Sequence, residues 1–253
     1  MDFLKAQIRE LYSNYGDIHG IWWDMNVPRH YDPTVNSMIR KLQPNAIINN
    51  QGFDEDDFST PERDYESNEK VQVYKGATEA CQSLDSLSWG YNKAAEYYSD
   101  RYLLSSIDRD FAANANYLLN VGPTSEGLIA TEASAILKRI GKWYHSGIES
   151  FEKVQPVTSL LKENLVSITR RDQTFYIHFN KEISADGFSL QPINVLPKKV
   201  TLLNDGREVK CVLTAIAGDY PDEKKYLRLQ NLPVNELSNT VLIVKLDFDE
   251  KLM

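Results

Sequence analysis

Apolar positions alternate between two spacings over the first 150 residues. Leu4, Ile8, Leu11 and Tyr15 recur at helical intervals, and Gly16 stops the run. A short apolar stretch, Ile18 to Trp23, then ends at Asp24. After a proline-containing loop, residues 33–42 return to helical spacing with Val35, Met38, Ile39 and Leu42 on one face, and Ala46–Ile48 is a second short apolar strand. A third strand is expected around Val71–Tyr74, a helix over 93–113, a strand over Tyr117–Val121, and an amphipathic helix over 131–146 with Ile136, Leu137, Ile140, Trp143 and Tyr144 on one face. Short strands without polar alternation, separated by helices, predict buried parallel strands with helical crossovers.

The pattern changes near residue 150. Over 157–250 helical periodicity gives way to strands at Val166–Thr169, Thr174–Phe179, Lys199–Leu203, Glu208–Leu213, Tyr226–Leu229 and Val241–Leu246, with turn signals such as Asn204-Asp205-Gly206 between them. The expected fold class is therefore α/β plus all-β, with an α/β part over 1–150, a linker near 151–157 and an antiparallel β-sandwich up to residue 253.

Composition narrows the function classes. The 253 residues carry 28 basic and 36 acidic side chains, a net charge of −8 without a long basic run, which argues against nucleic acid or an anionic membrane as partner. No apolar stretch is long enough for a membrane span, and the charged, amphipathic first residues do not form a secretory signal. Cys81 and Cys211 are too few for a disulfide scaffold, and the four histidines lack ligand-like spacing, so no metal is expected.

Candidate chemistry lies where the apolar strands end. In parallel α/β folds reactive groups collect at the C-terminal ends of strands. Asp24 ends the first strand, and alternation puts Trp22 on its side of the chain, an indole beside a carboxylate that suits a sugar. Asp24 capping a turn is the plainer alternative. Asp54, Glu55, Asp56, Asp57 and Glu62 follow the next strand in a long loop, by default a solvated surface. A carboxylate pair on neighbouring strand ends is what retaining glycoside hydrolysis requires. Glu79-Ala80-Cys81, Ser88-Trp89-Gly90-Tyr91 and Asn116–Pro123 are further segments, with a surface carboxylate, a packed aromatic pair and a core strand as their structural readings. Cys81 has no histidine near it in sequence to activate a thiol.

Together these segments resemble the α-L-fucosidases of glycoside hydrolase family 29. The resemblance runs over residues 3–150, through Gln7–Gly16, Ile18–Asp24, Leu42–Glu62 and Asn116–Pro123, with Gly127, Ile140–Trp143, Gly147 and Glu149-Ser150. It implies a (β/α)8-type catalytic barrel and a retaining exo-hydrolase of fucosylated glycans, with no metal or cofactor. Asp24 stands where the family's Trp-x-Asp nucleophile stands, and Trp22 matches the tryptophan beside the sugar. Glu62 stands where the family commonly has its acid/base. In some members that role falls to a glutamate in a segment similar to Thr78–Cys81, which makes Glu79 the reserve acid/base or a substrate-binding residue. Trp89 is expected to line the pocket. Gln51 departs from the family's arginine and trades a charged contact for an amide. Family members also carry a preceding half barrel with paired histidines. A (β/α)8 barrel takes about 250 residues, so 1–150 is expected to be its C-terminal part and the chain a fragment. A non-catalytic carbohydrate-binding protein is the alternative from another class. Family members are often secreted, periplasmic or lysosomal, and neither compartment nor oligomeric state follows from the sequence.

Overall fold

A computed structural model describes residues 1–24, 32–53, 56–63, 73–160, 165–215 and 225–249. The described residues fall into two compact units, one drawn from 1–64 and 74–81, the other from 65–73 and 82–253. Among them the parallel strands form no closed barrel.

In the first unit, helix α1 (Asp2–Asn14) leads to strand β1 (Gly20–Ile21), helix α2 (Thr34–Leu42) and strand β2 (Ile47–Ile48). Ile8 and Tyr12 form the buried face of α1, while Leu11 and Tyr15 are exposed. The i, i+4 row through Leu4 and Ile8 therefore continues to Tyr12, whose hydroxyl donates to the Gly20 carbonyl at 3.0 Å. On α2, Val35 and Ile39 are buried without measurable exposure. They pack with Trp23, Ala46, Ile48 and Phe53 in one core. Asp32 starts α2 by accepting from the Thr34 N–H and hydroxyl, and Lys5 pairs with it at 2.9 Å. These partners hold the Asp32 carboxyl down at about 2, the Thr34 hydrogen bond contributing most.

Gln43, just past α2, ties the unit together. Its Oε1 accepts from the Ile18 N–H at 2.6 Å, and its Nε2 donates to the carbonyls of Tyr12 and Gly16 at 3.0 and 2.7 Å. One side chain thus satisfies carbonyls left over at the end of α1 and an N–H at the entry to β1.

The strands run parallel. Gly20 pairs with Ile47 and Ile21 with Ile48. Beyond β2, residues 57–63 form an irregular extended ribbon, with parallel bridges Asn49–Phe58, Ser59–Thr78 and Glu62–Cys81. The last two join the ribbon to β3 (Glu79–Ser83). The ribbon is absent from the apolar pattern. Of the strand expected over Val71–Tyr74, Val73 and Tyr74 lie outside any strand, and Val71 and Gln72 fall outside the described residues.

In the second unit, β4 (Asn116–Asn120) pairs with β3. Helix α3 (Asp100–Ala112) starts seven residues later than the helix expected from 93, since residues 96–98 lie extended beside 84–86 through Ser86–Glu96 and Tyr98–Leu84 backbone bonds. Ser99 caps it by accepting from the Tyr102 N–H at 3.2 Å. Helix α4 (Thr131–Gly147) buries Ile136, Ile140 and Trp143. After it the chain forms β5 (Gln155–Pro156), β6 (Ser167–Arg171), β7 (Thr174–Phe179), β8 (Phe188–Pro192), β9 (Lys199–Leu202), β10 (Lys210–Thr214), β11 (Tyr226–Gln230) and β12 (Leu242–Asp247). They make an antiparallel five-stranded sheet ordered β5-β6-β7-β12-β9 and a three-stranded one ordered β10-β11-β8, which share one core including Phe179, Ile177, Val244, Leu190, Leu227 and Leu229. The other face of the larger sheet takes the helices: Tyr176, Val241 and Ile243 pack with Leu103, Ile136 and Trp143, and the Trp143 indole N–H donates to the Val241 carbonyl at 3.1 Å. The boundary expected near residue 150 lies inside this unit.

A fully buried polar cluster binds α3 to that sheet. Asp108 Oδ1 lies 2.8 Å from His178 Nδ1, and Asp108 Oδ2 accepts from Asn180 at 3.0 Å. Thr169 donates its hydroxyl proton to the Ser150 carbonyl, leaving a lone pair for His178 Nε2 at 2.9 Å. Asp108→Ala takes one buried partner each from the His178 imidazole and the Asn180 amide. The expected loss is about 3–5 kcal/mol in urea unfolding; a loss below about 1 kcal/mol would mean the cluster contributes little to holding α3.

Candidate active site

The site is built in the first unit, at the sequence-late ends of its parallel strands. β1 spans only two residues, and the chain leaves the ladder at Trp22. Trp22 and Asp24 are exposed, while Trp23 between them is 7 % exposed and packs in the core. Exposure therefore alternates over Trp22, Trp23 and Asp24. Phe58, on the ribbon, stands 5.8 Å from the Trp22 ring centre, at 59°. The two rings form an apolar pair at the end of β1.

Trp23 fixes this corner. Its N–H donates to Asn49 Oδ1 at 2.7 Å, its carbonyl accepts from Asn49 Nδ2 at 3.0 Å, and its indole N–H donates to Asn36 Oδ1 at 3.2 Å. Phe53 meets the indole edge-on at 5.1 Å. A β-carbon on Gly52 would lie 1.9 Å from the Trp23 ring, so only glycine permits the chain after β2 to pass there.

The pairs Gly20–Ile47, Asn49–Phe58, Ser59–Thr78 and Glu62–Cys81 set β1, β2, the ribbon and β3 side by side, with Glu62 on the ribbon and Glu79 on β3. Gln51 Nε2 donates to Thr60 Oγ1 at 3.0 Å. Asn50 Oδ1 accepts from the Thr60 N–H and hydroxyl at 3.1 and 2.9 Å. Glu62 is exposed and bridges to Cys81, whose N–H donates to Pro61. Glu79 is partly buried at the start of β3, its N–H donating to Ser59. Asp24, Trp22, Gln51, Glu62 and Glu79 thus all belong to one unit. Trp89 belongs to the other unit. There its carbonyl accepts from Asn120 at 2.6 Å, and the following Gly90-Tyr91 backbone passes so close to Gly122 that a β-carbon would lie 2.3 Å from the Tyr91 nitrogen.

The acidic loop divides into different roles. Asp57 Oδ2 accepts from the Ile48 N–H at 2.8 Å and from Arg40 at 3.0 Å, so this carboxylate completes the edge of β2. Asp54 and Glu55 lie outside the described residues, as do Met25 and Asn26. Sequence reasoning missed Asn49, Asn50, Gly52, Phe58 and Thr60. The available signal was a polar Asn-Asn pair directly after an apolar strand.

Neither thiol suits nucleophilic chemistry. Buried Cys81 donates to the Pro61 carbonyl, and burial pushes the Cys211 thiol up to about 11. Among the described residues no group of three or more His, Cys, Asp or Glu is placed to hold a metal, and no helix is long and apolar enough to cross a membrane.

With this geometry in hand, comparison with known proteins assigns the class. A family model, alpha-L-fucosidase, matches residues 1–147, and the chain belongs to that family. Human tissue alpha-L-fucosidase is 27 % identical over 161 residues, covering 61 % of this chain and 33 % of that protein. The bovine tissue enzyme is 30 % identical over 136 residues, covering 52 % and 29 %. The chain thus spans about a third of the length of these curated relatives. Among solved structures, alpha-L-fucosidase isoenzyme 1 from Paenibacillus thiaminolyticus superposes with a TM-score of 0.75 at 26 % identity, over 98 % of this chain and 62 % of that one. The alpha-L-fucosidase of Vibrio sp. strain EJY3 gives 0.77 at 21 % identity, over 97 % and 44 %, a likeness of fold.

Two outcomes check the local geometry. Gly52→Ala should cost about 1–3 kcal/mol, since a β-carbon must displace the Trp23 ring, with a shift in tryptophan emission; unchanged stability and emission would contradict the close approach. Both thiols should resist iodoacetamide at pH 8 in the folded chain and react once it is unfolded in urea, Cys81 because it is buried away from the reagent and Cys211 because burial disfavours its thiolate.

Proposed function

We propose that residues 1–150 are the C-terminal part of a (β/α)8-type catalytic barrel, that 151–253 are an antiparallel β-sandwich, and that the protein hydrolyses terminal α-L-fucose from glycans with retention. The observation that carries the reading is the parallel series of β1, β2, ribbon and β3, with exposed Trp22 and Asp24 following the first member and Glu62 and Glu79 on the last two. A related structure, the Thermotoga maritima alpha-fucosidase, has been solved with fucose and with a mechanism-based inhibitor.

The chemistry follows from two carboxyl groups. The Asp24 carboxylate attacks the anomeric carbon while a glutamic acid gives its proton to the leaving oxygen, and a fucosyl-enzyme ester forms. The same glutamate, now ionised, takes a proton from water, which attacks the anomeric carbon and returns Asp24 as a carboxylate. Glu62 is the first candidate for the acid/base and Glu79 the second. The pair should sit about 5–5.5 Å apart when substrate is bound. Trp22, with Phe58 against it, offers its face to the apolar side of the sugar. Gln51 is a further substrate contact.

The test is an aryl α-L-fucoside assay on the 253-residue chain and, where the native polypeptide extends beyond it, on the whole polypeptide. Asp24→Gly should lower kcat on the order of 10³-fold or more, and azide should restore part of the rate by taking the nucleophile's place. Of Glu62→Ala and Glu79→Ala, the acid/base variant should keep most of kcat/KM on an aryl fucoside with a good leaving group, which needs no proton, while kcat falls because the second step has lost its base, and it should lose activity on a natural glycan. Undiminished activity in Asp24→Gly would sink the assignment. Fucose binding with no turnover by any form would class the protein as a carbohydrate-binding module.

A further inference from the structure

The corner before Asp24 is held in an unusual way. In a continuing parallel ladder, the Trp23 N–H would donate to the backbone carbonyl of Asn49, and the Trp23 carbonyl would accept from the backbone N–H of Gln51. Instead β1 stops at Ile21, and the Asn49 side chain makes both bonds, at 2.7 and 3.0 Å. Asn49 is 1 % exposed, so these bonds form away from water. A carboxamide is well suited to this, because it presents one acceptor and one donor side by side, as a peptide group does. Its Nδ2 also lies 3.5 Å from Thr60 Oγ1, which ties it to the ribbon.

We propose that Asn49 is a positioning residue for the nucleophile: its carboxamide grips both backbone groups of Trp23 and thereby sets the direction in which the next residue, Asp24, presents its carboxylate. The proposal rests on the reading of Asp24 as nucleophile given above. The physical argument is one of leverage. Asp24 is exposed and follows a strand of two residues, so backbone pairing alone does not fix its Cα. Trp23 is buried and anchored by Asn36 and Phe53, which fix its ring but leave its peptide groups to Asn49. Nucleophilic attack needs the carboxylate oxygen held near the anomeric carbon, and a shift of about 1 Å costs on the order of 10²-fold in rate.

Asn50 provides the contrast. Its Oδ1 serves Thr60 on the other side of β2, so the two adjacent asparagines staple opposite neighbours. Removing Asn50 should loosen the ribbon and leave Trp23 held.

The experiment uses Asn49→Asp, which is isosteric, and Asn49→Leu, compared with Asp24→Gly and Asn50→Ala, in the same polypeptides and with the same aryl α-L-fucoside. Amide hydrogen exchange is followed at Trp23 and Asp24. Asn49→Asp keeps the acceptor for the Trp23 N–H but turns an oxygen towards the Trp23 carbonyl. Its expected signature is a kcat lowered about 10- to 100-fold, a KM within a few-fold of the parent, faster exchange at Trp23 and Asp24, and no rescue by azide, since the carboxylate is still present. Asn50→Ala should leave exchange at Trp23 as in the parent. Parental kcat and parental exchange in Asn49→Asp would overturn the proposal. So would a lowered kcat that azide restores, which would mean a lost nucleophile and not a misdirected one. Full activity in Asp24→Gly, or no turnover by the parent, overturns the nucleophile reading. The exchange measurement then still decides whether Asn49 holds the backbone. Should Asn49→Leu not fold, Asn49→Asp decides alone.

Discussion

The first unit depends on side-chain amides and carboxylates pairing backbone groups that its very short strands leave open. β1 and β2 share a ladder of two residue pairs. Buried N–H and C=O groups that lose their partners cost about 1–3 kcal/mol each, so a parallel arc this short must close its ends by other means. Gln43 does so before β1, Asn49 after it, Asn50 towards the ribbon, and Asp57 along β2. Each replaces a bond that a longer strand would have made with its own backbone. The consequence for function is that the backbone at the strand ends is set by particular polar side chains rather than by sheet regularity.

The second unit solves its problem with apolar bulk. Its larger sheet is covered on both faces, by the smaller sheet on one and by α3 and α4 on the other, so β7 and β12 bury residues of both parities. One polar cluster sits within this packing, Asp108–His178–Thr169 with Asn180, each member bonded to its neighbour. A buried cluster of this kind adds little net stability when intact but penalises any arrangement that leaves a member unpaired. It therefore fixes how α3 lies on the sheet, which apolar contacts alone would leave free to slide.

The sequence makes these two strategies legible to different degrees. Where burial is continuous, apolar periodicity suffices: Thr174–Phe179 is a strand over the expected residues, and α4 buries the expected Ile136, Ile140 and Trp143. β5 and β8 escape notice because Pro156 and Pro192 interrupt strands that are otherwise short. The ribbon over 57–63 escapes for a stronger reason. It holds Asp57, Pro61 and Glu62, and its place between β2 and β3 is set by bridges and side-chain bonds, not by apolar residues of its own. The face of α1 goes astray at Leu11 and Tyr15 because i+3 and i+4 steps fit the pattern equally well, and only the Tyr12–Gly20 bond chooses between them. Of the candidate site, the exposed–buried–exposed order of Trp22, Trp23 and Asp24 was legible from the alternation of an extended chain. The amides that hold it were not, because a buried asparagine and a loop asparagine look alike in one sequence.

Gln51 shows how a departure at one position fits this scheme. On the reading proposed above, an arginine there would put a charged fork into the row that holds Asp24 and Glu79, with its donors directed at the substrate. The glutamine instead directs its Nε2 to Thr60 Oγ1, one residue before Pro61 and two before Glu62. Thr60 in turn donates to Asn50 and receives Asn49 Nδ2. The amide thus joins the same network that fixes the Trp23 corner, so the end of β2 links the segment before the proposed nucleophile to the segment before the proposed proton donor. Retaining hydrolysis is sensitive to the separation of its two carboxyl groups, and a network that spans both segments constrains that separation through backbone position. On that reading an arginine at this place would act through the sugar alone, whereas this glutamine, besides meeting the sugar, bears on the spacing of the groups that attack it.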